Sequence, residues 1–199
     1  TGGSGGMGKA TAELVGKYGT VLLADVSEER LENTKQELAT KGITEVYIQQ
    51  VDITIKETVM ELAEKANALG TLKGLGTGFI LDAFLPYATE GTSVVLVSSM
   101  SGYMLPRQGQ YVEVLKKPLA DNVIETMEQF AQGNPGAAYS LSKLGVQLIA
   151  ADQAWIWGQK GARINSLSPG TINTPMGRQE AEQQEQMAQM LAITPLQRE

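Results

Sequence analysis

The sequence predicts an α/β fold, a doubly wound parallel sheet in three layers, helix over sheet over helix, with a small helical insertion. Three observations carry that expectation. Short apolar, β-branched runs alternate with amphipathic helical stretches; a glycine cluster at the start opens onto a helix; and acidic or hydroxyl residues stand at the carboxyl ends of the strands, where open parallel sheets bind their ligands.

Taken in order, residues 1–8 (TGGSGGMG) are a glycine loop, and Ala10, Leu14 and Val15 follow at helical spacing. Thr20–Asp25 is short and apolar, as a buried parallel strand should be. Ser27 then caps a helix rich in Glu in its first turn. Glu45–Asp52 reads as the next strand and Lys56–Gly70 as the next helix. FILDAFLPY looks helical, and Ser93–Ser99 is a β-branched strand ending in two serines. Residues 103–138 break the rhythm. Leu119, Val123, Met127 and Phe130 line one helical face between Pro118 and the turn-like Gly133–Gly136. Ala138–Trp157 reads as one long helix, Ala162–Gly170 as a strand ending in a Pro-Gly turn, and Arg178–Glu199 as an amphipathic helix.

Composition excludes whole classes of chemistry. Among 199 residues there is no Cys and no His, so thiolate nucleophiles, disulfides, Cys-type zinc sites and His-based triads are impossible, and no metal site is expected. The formal charge of −6, without a basic run, argues against nucleic acid and against anionic membranes. No apolar run reaches the roughly 18 residues of a spanning helix. The expectation is a cytoplasmic protein of one domain over residues 1–199, acting on a small molecule.

The glycine loop parses as Gly3-X-Gly5-X-X-Gly8 or as Thr1-Gly2-X-X-X-Gly6-X-Gly8. Either way, glycines let the backbone approach a pyrophosphate lying on a helix N-terminus; a flexible loop would look the same. Asp25, at the end of the next strand, is placed to hydrogen-bond ribose hydroxyls and would repel a 2′-phosphate. With Val26 rather than a cation after it, NAD is preferred over NADP. Asp52 ends the next strand in the same way, and either acid would also serve as a turn residue. Tyr139 and Lys143, four apart on a helix, share a face on which the ammonium favours phenolate; an ordinary surface pair has the same spacing. Ser99 at a strand's carboxyl end is placed to hold a substrate oxygen, with Ser98 as the rival position. Met176, Met187 and Met190 suit an adaptable apolar pocket or ordinary helix packing.

TGGSGGMG, LLADVS, VDIT, SSMSG at 98–102, YSLSK at 139–143 and INSLSPGTINTP at 164–175 together resemble, in order, the motifs of the short-chain dehydrogenase/reductase family. The resemblance implies a Rossmann-type sheet and catalysis by Ser99, Tyr139 and Lys143. It implies NAD contacts from Gly2, Ser4, Gly6, Met7, Gly8, Asp25, Val26, Asp52 and Ile53. Tyr139 and Lys143 join these, with Pro169, Gly170, Ile172 and Thr174 at the nicotinamide end. Gly102 three residues on makes Ser99 the better match to the family's serine. The implied activity is hydride transfer between the nicotinamide and a secondary alcohol or ketone, hydroxysteroids and other carbonyl compounds included, in a homodimer or homotetramer. The alternatives are a non-catalytic dinucleotide-binding protein and, last, a related methyltransferase.

The chain departs from the family pattern in four places. An apolar first strand is expected ahead of Thr1, a segment is missing near residues 74 and 75, and a final strand is expected after the last residue; all three fit a chain of about 250 residues. The family's catalytic Asn has no counterpart. The fourth departure is residues 103–138, similar in position to a helical insertion in relatives resembling bacterial 3α-hydroxysteroid dehydrogenase/carbonyl reductase. Such an insertion alters subunit packing or is a surface elaboration.

Overall fold

The computed structural model describes residues 1–70, the backbone of 73–75, and residues 79–175, 177–178, 192 and 194. Met176, Met187, Met190 and nearly all of the expected C-terminal helix lie outside the described residues. The chain forms two compact units, Thr1–Val51 with Pro169–Glu199, and Asp52–Ser168.

The first unit contains α1 (Gly6–Val15), β1 (Val21–Asp25), α2 (Glu28–Thr40) and β2 (Val46–Gln50). Strands β1 and β2 pair in parallel, from Val21 opposite Val46 to Asp25 opposite Gln50. Ser27 caps α2 as expected, its hydroxyl accepting from the Arg30 amide at 3.3 Å, while Glu28 and Glu29 complement the positive end of the helix dipole. Ala12, Val21, Leu23, Leu31, Leu38, Ile43 and Val46 close one core between the helices and the strand pair.

The second unit runs through α3 (Lys56–Leu69), β3 (Lys73–Leu75), α4 (Phe79–Phe84), β4 (Ser93–Val97), α5 (Gln110–Leu115), α6 (Val123–Ala131), α7 (Pro135–Gly158) and β5 (Arg163–Leu167). Its sheet has the order β3-β4-β5, all parallel, with Val94 opposite Ile164 and Gly74 opposite Val94. Among the described residues the strands hydrogen-bond as two parallel sheets, β1-β2 and β3-β4-β5.

Helix α7 packs on the sheet through Ile149, Ala150 and Trp157, which join Leu81, Val94, Leu96 and Ile164 in the main core of this unit. Helix α7 starts three residues earlier than its hydrophobic pattern indicates. Asn134 caps it, accepting from the Ala137 amide at 3.1 Å, and Pro135 occupies the first helical position, where its missing N–H costs nothing. The Asn-Pro pair is thus a helix start rather than a free turn.

Residues 103–138 fold as α5 and α6 against the N-terminal half of α7. Val112, Leu115 and Ala131 bury against Leu141, Leu144 and Leu148, and the Tyr111 and Phe130 rings meet edge to face at 5.0 Å. Leu119, expected to start the helical stripe, lies ahead of α6 and is exposed, since the turn at Ala120–Asn122 delays the helix to Val123.

Candidate active site

In the first unit the glycine loop is a tight backbone cradle. The Gly3 amide donates to the Ala24 carbonyl at 3.0 Å, tying the loop to β1, and the Gly5 amide donates to the Gly2 carbonyl at 3.1 Å. No side chain caps α1, and its first helical bond runs from the Lys9 amide to the Gly5 carbonyl. The amides of Gly6, Met7 and Gly8 therefore precede the helical ladder and point out of the helix start, the arrangement that binds a phosphate. A Cβ on Gly8 would lie 2.2 Å from the Gly2 carbonyl oxygen, so only glycine permits this turn. The cradle fits a pyrophosphate in shape and in donor set.

Asp25, the last residue of β1, faces that loop. One carboxylate oxygen accepts from the Ser4 amide at 3.1 Å and the Ser4 hydroxyl at 2.5 Å; the other accepts from the Val26 amide at 2.9 Å. Partial burial pushes its carboxyl up, but the donors of Ser4, Val26 and Ser27 outweigh that and hold it below its ordinary 3.8, so it is ionised at neutral pH. Thr174 sits over the start of α1, where a Cβ on Gly6 would come within 3.0 Å of its methyl group. Its hydroxyl accepts from the Gly177 amide at 3.0 Å. Pro169 and Gly170 lead into this segment in the same unit, and Met7, Val26 and Ile172 are exposed apolar side chains within it.

In the second unit the Tyr139–Lys143 pair is formed on α7. The ammonium lies 5.4 Å from the centre of the Tyr139 ring and donates to the Val97 carbonyl at 3.3 Å, at the end of β4. Tyr139 is 51% exposed, so its phenol is open to a substrate. Ser98 and Ser99 separate clearly. Ser98 is buried and its hydroxyl donates to the Lys143 carbonyl at 2.7 Å, a bond that locks β4 to α7. Ser99 is half-buried, and its hydroxyl accepts from the Ser101 amide at 3.2 Å at the start of a 3₁₀ turn, Met100–Met104. Its hydroxyl proton thus remains for another acceptor. Asp52 behaves as the turn acid: it accepts from the Thr54 amide at 2.9 Å and the Thr54 hydroxyl at 2.7 Å, which hold its carboxyl below the usual range. Ile53 beside it is exposed.

Burial alone pushes the Lys143 ammonium below its ordinary 10.5. The unfolded chain then binds more protons than the folded one between the lowered value and 10.5, so stability rises with pH through that window. Lys143→Met removes this contribution. Urea denaturation across that window is expected to show wild-type stability gaining on the variant as pH rises; a constant difference would contradict the burial.

No motif in the sequence marks Gln147. It is buried at 3% exposure, one turn beyond Lys143 on the same helical face, and its amide touches Ser98, Ser99 and Ser168. The available signal was the i, i+4, i+8 series Tyr139, Lys143, Gln147.

A parallel α/β chain with a glycine-lined helix start and a Tyr-Lys pair beside a strand-end serine belongs to the nucleotide-dependent oxidoreductase class, and the comparisons with known proteins agree. A family model described as Enoyl-(Acyl carrier protein) reductase matches residues 2–199. A short-chain dehydrogenase/reductase of Alternaria brassicicola is 31% identical over 207 residues, covering 87% of this chain and 72% of the relative. A 3β-hydroxysteroid dehydrogenase of Eggerthella lenta is 26% identical over 185 residues, covering 89% and 71%. The crystal structure of actinorhodin polyketide ketoreductase with NADPH shares the fold at a TM-score of 0.71 and 19% identity, over 99% of this chain and 82% of that one. The chain belongs to the short-chain dehydrogenase/reductase family. It is an oxidoreductase of alcohol or ketone groups.

Proposed function

We propose that this protein is an NAD-dependent dehydrogenase/reductase of a secondary alcohol or ketone in which Tyr139 is the acid/base, Ser99 holds the substrate oxygen and Lys143 supports both tyrosine and cofactor. The observation that carries the reading is the Lys143 ammonium beside the Tyr139 ring, anchored on the strand end that leads into Ser99. The bound nicotinamide supplies the hydride acceptor or donor. In the oxidative direction the Tyr139 oxygen takes the alcohol O–H proton while the hydride leaves the carbon that bears that oxygen; in reduction Tyr139 returns that proton to the carbonyl oxygen. Ser99 donates a hydrogen bond through its hydroxyl to the reacting oxygen, where negative charge develops, and keeps its own proton. The Lys143 charge stabilises negative charge on the phenol oxygen as the proton moves.

The same reading assigns the pyrophosphate to the loop of Gly2, Ser4, Gly6, Met7 and Gly8. Asp25 and Val26 take the adenosine side, with Asp52 and Ile53 as further contacts. Pro169, Gly170, Ile172 and Thr174 take the nicotinamide end. An assembly of two or four copies accords with the family's habit.

NAD is preferred because the Asp25 carboxylate, ionised and fixed by Ser4, accepts from ribose hydroxyls and repels a 2′-phosphate. Equilibrium dialysis is expected to show NADH bound at least about tenfold more tightly than NADPH, about 1.4 kcal/mol. Asp25→Ser should narrow that ratio to near unity. Tighter NADPH binding by the wild type would overturn the preference.

A further inference from the structure

We propose that Gln147 is a positioning residue for this reaction, holding the Ser99 turn against the helix that carries Tyr139 and Lys143. The proposal rests on the oxidoreductase reading above and adds a residue to it. The side-chain nitrogen of Gln147 lies 3.3 Å from each of three acceptors: the Ser98 hydroxyl, the Ser99 carbonyl and the Ser168 hydroxyl. These belong to the two segments that leave the carboxyl ends of β4 and β5. One amide on α7 therefore gathers both strand ends.

The chemistry fixes which way that amide faces. The Ser98 hydroxyl spends its one proton on the Lys143 carbonyl, so towards Gln147 it only accepts, and the Ser99 carbonyl is an acceptor by nature. On the other side the Arg107 guanidinium, which can only donate, reaches the Gln147 side-chain oxygen at 3.4 Å. The Ser98 hydroxyl, the Ser99 carbonyl and the Arg107 guanidinium thus select the same orientation. Gly102 completes the fit: a Cβ there would lie 2.6 Å from the Gln147 side-chain nitrogen and 2.9 Å from the Leu144 amide nitrogen, so the serine turn sits directly on α7 at this point. A buried amide is costly unless satisfied, and an aliphatic side chain would fill the volume at less risk. What Gln147 adds is a fixed place for the Ser99 backbone relative to Tyr139, two turns away on the same helical face. Arg107, at the start of the 103–138 segment, ties that segment to the same amide.

The test uses Gln147→Met, which keeps the volume and removes both donor and acceptor, and Gln147→Glu, which keeps the shape but replaces the donor with a second acceptor. Two readouts are needed. Hydrogen exchange reports the Ser101 and Gly102 amides, which donate to the Ser99 hydroxyl and carbonyl respectively. Steady-state reduction of 2,3-butanedione with NADH reports kcat and KM. Gln147→Met is expected to speed exchange at those two amides about tenfold or more with exchange in β1 unchanged. It should lower kcat about 10- to 100-fold with NADH affinity held within about twofold, the size of effect that a misplaced catalytic group produces. Gln147→Glu should do no better. Unchanged exchange, or faster exchange with unchanged kcat, would overturn the proposal. Should Gln147→Met fail to fold, the exposed Arg107→Met frees the amide from outside and must speed the same exchange, or the proposal fails. A wild type that binds NADH but leaves the ketone unreduced counts against the oxidoreductase reading with this probe, whereas the exchange result is scored independently.

Discussion

Tyr139→Phe is expected to lower turnover by about 10²- to 10⁴-fold, the range supplied by a positioned acid/base, while NADH binding stays within about twofold of wild type. The ring remains to face the Lys143 ammonium, and Lys143 keeps its bond to the Val97 carbonyl, so the support around the pair survives. Only the atom that exchanges the proton is lost. The chain has no histidine or cysteine, so neither of those side chains can take over the proton. Stopped-flow NADH absorbance checks the rate and calorimetric titration the binding. Retained turnover in Tyr139→Phe would remove Tyr139 from the chemistry and leave Ser99 and Lys143 without their partner.

Gly8→Ala should have an effect of similar size on a different step. The added methyl would meet the Gly2 carbonyl oxygen at 2.2 Å, closer than any contact the backbone tolerates, so the loop has to move away from the start of α1. The amides of Gly6, Met7 and Gly8 then lose their common aim. Losing two charge-assisted hydrogen bonds at about 1.5 kcal/mol each weakens dinucleotide binding by roughly 10²-fold. Equilibrium dialysis with NADH checks this, and thermal melting without cofactor separates lost affinity from lost fold. Wild-type affinity in this variant would mean that the loop is not the phosphate cradle.

Much of this was legible in residue order, for identifiable reasons. The strands β1 and β4 were visible because buried parallel strands are written as short apolar runs, and Ser27 announced its helix by capping it. The Tyr139–Lys143 pair was visible because helical spacing alone brings i and i+4 together. Choosing between Ser98 and Ser99 was different. Adjacent residues on a strand end point opposite ways, and only the packing of α7 decides which hydroxyl is buried against the Lys143 carbonyl and which stays open. Gln147 was hidden for the same reason: a glutamine reads as a surface residue until its amide is seen between two strand ends. The start of α7 at Pro135 was obscured because Asn-Pro serves a turn and a helix cap equally well. The division of the strands into two sheets lies beyond any local pattern, since hydrogen bonding between distant strands is a property of the whole topology.

Isotope transfer shows whether this chain moves hydride between an alcohol carbon and a nicotinamide with Tyr139 handling the proton. The wild-type protein is mixed with NAD and a panel of secondary alcohols, hydroxysteroids included, each carrying deuterium on the carbinol carbon, and the recovered cofactor is weighed by mass spectrometry. Deuterium is expected on the reduced cofactor with at least one alcohol in wild type, appearing about 10²- to 10⁴-fold more slowly with the same alcohol in Tyr139→Phe. Bound cofactor that stays free of deuterium across the panel would contradict it and favour a dinucleotide-binding protein without this chemistry.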